Sequence, residues 1–141
     1  MSGDALALAV KALIPTTNGA TTWKVWDGDV SDSSPAMPWV VLRVSVPGGS
    51  HRSDAQTRQA GNVTVTVLTV AASQQGARMM LDTILPALDG ARPVASGWSC
   101  GVLVPISDPR TDPTDFIPLT GGSSRHVWQG TAAFRLTASE H

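Results

Sequence analysis

Ser50-His51-Arg52-Ser53-Asp54 puts a hydroxyl, an imidazole and a carboxylate within five residues, the side-chain types of a hydrolytic triad. A triad works through fixed geometry: a base hydrogen-bonded to the nucleophile and oriented by a third group. Here the three types are chain neighbours in a polar stretch between two predicted strands, so the segment is read as a solvated loop and no catalytic residue is assigned. Asp108, Asp112 and Asp115 are the carboxylates whose closeness invites a cation. They lack the alternating ligands and fixed glycine of a calcium loop, and each adjoins Pro or Thr, where aspartate shapes turns. Asp27-Gly28-Asp29 receives the same reading. No P-loop, GxGxxG, HExxH or GxSxG occurs. The histidines, His51, His126 and His141, are scattered, and the single cysteine, Cys100, excludes an intrachain disulfide and a multi-cysteine zinc site. The expectation is a non-enzyme with neither cofactor nor metal.

Composition narrows the classes further. The chain has 141 residues, 10 Lys+Arg against 11 Asp+Glu, and 42% apolar residues. Its charged fraction, 15%, is low for a soluble domain, which averages about 25%. Balanced charge argues against a dedicated nucleic-acid binder, which needs concentrated Lys and Arg to track phosphates. Arg52 and Arg58 with His51 make the one local basic bias, diluted by Asp54. The longest apolar run, Ala5 to Val10, is far shorter than the roughly 20 residues of a membrane span. No Lys or Arg precedes it, so no membrane contact and cytoplasmic synthesis are expected.

The elements that must position these residues follow from periodicity. A first helix over about 4–14 carries Leu6, Val10, Leu13 and Ile14 on one stripe and ends at Pro15. Leu8 and Ala12 lie off that stripe and Lys11 is its one interior charge, so the helix wants a second apolar neighbour. Deep burial in its own domain and contact with another subunit both answer that need. Residues 23–26 form a short strand. Residues 39–46 and 62–70 form confident strands, the second slipping from alternation at Leu68, as at a bulge or a change of burial. A second helix over about 74–88 buries Ala77, Met80, Leu81, Ile84, Leu85 and Leu88, with Pro86 kinking or shortening its last turn. Strands at 98–104 and 127–137 follow, the first aligning Trp98, Cys100, Val102 and Val104, and the tail from Ala138 frays.

This order predicts one α+β domain over 1–141: a mainly antiparallel four- to five-stranded sheet with two helices packed on one face. Two long connections interrupt it, 47–61 and 106–125. Loops beyond about 12–15 residues are uncommon unless functional, and ordering one costs on the order of 1–2 kcal/mol per residue. Docked neighbours can recover that cost, so the two connections are read as interaction arms. Trp98 and Trp128 are expected in the core. Trp23, Trp26 and Trp39 are open to burial or to a subunit contact, where Trp is enriched.

Several pieces of sequence then align with a known pattern. A short apolar first helix is followed by Val25-Trp26-Asp27 and by Pro38-Trp39-Val40-Val41-Leu42. After the polar arm come Asn62-Val63-Thr64-Val65-Thr66-Val67, the helix ending Leu85-Pro86-Ala87-Leu88, and the closing strand Trp128 to Leu136. Over residues 4 to 138 the chain resembles the tail-terminator, or tail-completion, proteins of long-tailed bacteriophages. The 106–125 connection is long for that family. The resemblance implies a structural virion protein at the head–tail junction, assembled in the host cytoplasm. Copies would form a homo-oligomeric ring, commonly a hexamer, on the last ring of the major tail tube protein. The ring would end tube growth and offer a surface to the head-completion or neck protein, and DNA would pass through it without being read. On this reading His51, Arg52 and Arg58 face the tube or the lumen, and Leu8, Ala12 and Trp39 serve the subunit contact. The alternatives are another head–tail connector, head-closure or minor tail protein, and a small ligand-binding module using exposed tryptophans.

Overall fold

A computed structural model describes residues 2–19, 21–28, 37–45, 61–116 and 125–140. The described residues form an α+β fold. Helix α1 (Ser2–Leu13) leads into a small hairpin, β1 (Thr17–Asn18) and β2 (Thr21–Thr22). Gly19 supplies its turn with a φ of 62°, a conformation that costs glycine little. Then come β3 (Lys24–Asp27), β4 (Trp39–Ser45), β5 (Gly61–Ala71), α2 (Gln74–Leu88), β6 (Trp98–Cys100), β7 (Val104–Pro105), β8 (Arg110–Phe116) and β9 (Arg125–Glu140).

Among the described residues seven strands make the main sheet, rather than four or five. The order is β3-β4-β5-β9-β6, with β7 and β8 also paired to β9. β3 runs parallel to β4, Lys24 opposite Trp39; the other pairs are antiparallel. The parallel pair has a plain cause: residues 28–38 are too many for a tight hairpin and enough to carry the chain back to the same end of the sheet.

Both helices cover one face, as periodicity predicts. Leu6, Val10 and Ile14 of the N-terminal segment join Ala77, Met80, Leu81, Ile84 and Leu88 of α2 over Val40, Leu42, Val63, Val65, Val67, Ala132, Phe134 and Leu136. Ser73 caps α2, its hydroxyl oxygen accepting from the Gly76 N–H at 3.1 Å. Pro86 lies inside the helix without shortening it to that point; it falls in the last turn, which closes when the Asp89 N–H donates to the Leu85 carbonyl. The opposite face carries a second apolar cluster at one end: Trp39, Val41, Leu68, Val70 and Val127, with Trp26 and Met37 against it. This explains Leu68. The register through β4, β5 and β9 is unbroken there, so the lost alternation marks a strand buried on both faces, not a bulge.

β9 is the spine. One side pairs with β5 from Trp128 to Ala138, and the other with β8, β7 and β6 in turn. Two expectations fail here. The tail does not fray: β9 runs to Glu140, and Ala138 is buried between Gly61 and Cys100. The 106–125 connection is not a long loop either, because β8 fills seven of its positions by pairing with β9.

Candidate functional site

From Trp98 to Phe116 the chain runs as one interrupted strand along the outer side of β9. Its register slips twice. Four positions separate Cys100 from Val104, but three separate their partners Ala138 and Arg135. Five separate Pro105 from Arg110, but three separate Phe134 and Thr131. The first slip reverses the side-chain faces. It turns Leu103 fully into the core, held by hydrogen bonds with Gly90 and Ala91. Val102 and Val104 become exposed, at 41% and 39%, off the Trp98–Cys100 face where simple alternation placed them.

The second slip opens a cleft. With two extra residues the chain bows away from β9 at Ala132 and Ala133, where the Ile106 N–H donates to the Ala133 carbonyl at 3.1 Å. The resulting cleft has a volume of about 320 Å³. Ala132, Ala133 and Phe134 floor it; Leu85 and Pro86 of α2 form one wall, Pro105 and Pro109 the other, and Asp89 and Ser107 supply its polar groups. A smaller furrow of about 180 Å³ continues from it along α2, sharing Leu85 and Pro109 and lined also by Arg78, Asp82 and Arg110. Beyond that, the Gln74 side-chain N–H donates to the Thr111 hydroxyl at 3.2 Å and ties α2 to β8.

α2 is fixed on the sheet by a close approach. A Cβ on Gly130 would stand 2.4 Å from the Thr69 hydroxyl and 2.8 Å from Leu81 Cδ1. Only glycine lets the helix settle there, and the buried Thr69 hydroxyl donates to the Ala77 carbonyl at 3.3 Å.

The residues expected at a subunit contact separate. Leu8 is 60% exposed and Ala12 is exposed beside it on the outer stripe of α1. Trp39 is only 1% exposed, packed in the second cluster of its own chain, so its ring presents no surface to a neighbour. The strand pattern at 39–46 gives it an outward face, but the second cluster makes that face internal. His51, Arg52 and Arg58 lie outside the described residues. The remaining tryptophans pack as well: Trp23, Trp98 and Trp128 belong to the main core, and Trp26 lies against the second cluster. The Trp23 indole N–H donates to the Pro15 carbonyl at 2.8 Å. The Lys24 ammonium sits 4.2 Å above the Trp26 ring, whose buried N–H has no acceptor among the described residues.

Asp112 pairs with Arg110 at 3.4 Å, both exposed, and Asp115 stands opposite His126 in the β8–β9 register. Among the described residues no group of three His, Cys, Asp or Glu could hold a metal, and no helix is long and apolar enough to cross a membrane. Burial pushes the Cys100 thiol above its ordinary pKa, opposed by the positive charge of Arg92.

No protein-family model matches this chain, and no curated protein matches its sequence.

Proposed function

We propose that this chain is a structural subunit of a bacteriophage tail. Copies close into a ring, hexameric as is common in the family the sequence resembles, on the last ring of the tail tube. The ring ends tube growth and forms the surface that the head-completion protein meets, and DNA passes through it unread. The protein then resides in the virion at the head–tail junction after assembly in the host cytoplasm.

The observation that carries this reading is the outer stripe of α1. A helix already buried along one stripe by Leu6 and Val10 leaves Leu8 and Ala12 exposed on another. Leu8 and Ala12 thus leave an apolar stripe that a neighbouring protein surface can cover. The order of elements from residue 4 to 138 supports the same reading, and Trp39, being internal, is dropped from the contact. His51, Arg52 and Arg58 keep their proposed place toward the tube or lumen.

Negative-stain imaging of tail tubes assembled with and without the protein tests the reading. The expected result is tubes of defined length, capped at one end by a ring of this chain. Tubes that grow on regardless, with the chain bound along their sides or not at all, refute it. Arg52→Glu with Arg58→Glu should impair head joining while the urea midpoint stays unchanged. A head-closure protein would instead bind the portal side and leave tube length alone.

A further inference from the structure

The two margins of the sheet carry surfaces of opposite kind, one a knob and the other a cleft. At the β3–β4 margin, α1 presents Leu8, Lys11 and Ala12, spaced i, i+3 and i+4 and so forming one patch. It is an apolar knob beside an ammonium. At the β9 margin, the cleft has an apolar floor and walls, with the Asp89 carboxylate among its lining groups. Asp89 directly follows the C-terminus of α2, whose last turn contains no basic residue. Its carboxylate therefore adds to the partial negative charge of the helix end, with no cation from that turn to offset it. An apolar slot with a carboxylate among its lining groups suits an apolar side chain flanked by a cation.

We infer that α1 of one copy docks in this cleft of the next copy, with Leu8 seated between the proline walls and Lys11 facing Asp89. The inference rests on the ring reading above and names the contact that reading needs. A chain does not fill its own cleft with this knob, since Leu8 and Ala12 stand exposed on their own copy. Knob and slot are different surfaces, so the association is head-to-tail. Such a contact generates a closed ring where the rotation per copy permits.

Sedimentation velocity and light scattering on the intact chain, across micromolar to millimolar concentration, provide the test. Leu8→Asp should weaken self-association roughly 100-fold, the scale of one buried leucine lost from an interface. Ala12→Glu should act in the same direction. Lys11→Glu and Asp89→Lys should each weaken it about tenfold, and together restore it to within about threefold of the parent, because the pair is re-formed with its signs exchanged. All four positions are at least partly exposed, so urea midpoints should hold. A parent that associates while Leu8→Asp associates equally well overturns the docking and leaves the ring to another surface. A double variant no better than the product of its singles overturns the Lys11–Asp89 pairing. A parent that stays monomeric to millimolar concentration overturns the docking outright, while capping of tail tubes judges the ring reading separately.

Discussion

The two margins of the sheet are built on opposite plans. β3 has four residues, runs parallel to β4 in unbroken register, and is backed by α1. The β6–β7–β8 margin runs antiparallel to β9 from Trp98 to Phe116, slips register twice, and carries prolines at 105, 109 and 113. A short edge offers little template for stray pairing. A long one must be spoiled, and bulges and prolines do that by bending the strand and removing donors. The spoiled edge gains a shape: where the chain bows outward, a cleft opens that a flat strand would have closed. The margin thus exchanges a flat row of backbone groups for a cleft lined by side chains.

The largest expected effect is at the strand both margins depend on. Phe134→Ala, emptying a side chain that is 1% exposed beneath the cleft, should cost about 3–5 kcal/mol in urea denaturation. A cost near zero would mean that the cleft floor is not core. Next is Gly130→Val, expected to cost about 1–3 kcal/mol or more, because Thr69 and Leu81 must move and α2 must lift from the sheet. Deleting Ser107 and Asp108 straightens the second slip. Stability should change by about 1 kcal/mol or less, since short surface insertions are cheap, yet self-association should disappear with the cleft. Retained association would show that the bowed segment is incidental to docking.

A smaller effect concerns Cys100. Its thiol is held above its ordinary pKa, so the fold binds that proton more tightly than the unfolded chain does. The associated stability is present below the unfolded thiol's pKa and is lost as pH rises through the folded value. Alkylation by iodoacetamide in mildly alkaline buffer should therefore be slower in the folded chain than in urea; equal rates would contradict the burial. Smallest of all, Arg110→Ala should move stability by less than about 0.5 kcal/mol, because its partner Asp112 and it are 61% and 77% exposed.

The asymmetry between the margins also explains what could be read from sequence. Residues 62–67 alternate cleanly, and α2 shows its buried stripe at 77, 80, 81, 84 and 88 because those positions face one continuous core. The outer stripe of α1 was legible too, as Leu8 and Ala12 left over after Leu6 and Val10 were assigned inward. β8 was not legible. Arg110-Thr-Asp-Pro-Thr-Asp-Phe has two aspartates and a proline where a strand wants β-branched or aromatic residues. It is a strand because β9 offers it an edge, a tertiary cause with no local trace. The cleft was hidden for the same reason, since a register slip is a relation between two strands. The one available signal was the recurrence of proline at 105, 109 and 113, a pattern that marks an edge better than a loop.

β9 has a temporal consequence. It follows every other element in chain order and pairs with four of them, meeting β5 across more than fifty intervening residues. Until it is synthesised, β5 has β4 alone beside it and the segment from Trp98 to Phe116 has no strand to lie on. Closure of such distant pairings is slow. Nascent chains should therefore emerge without a finished sheet, and the cleft beside β9 cannot form before translation has passed that strand.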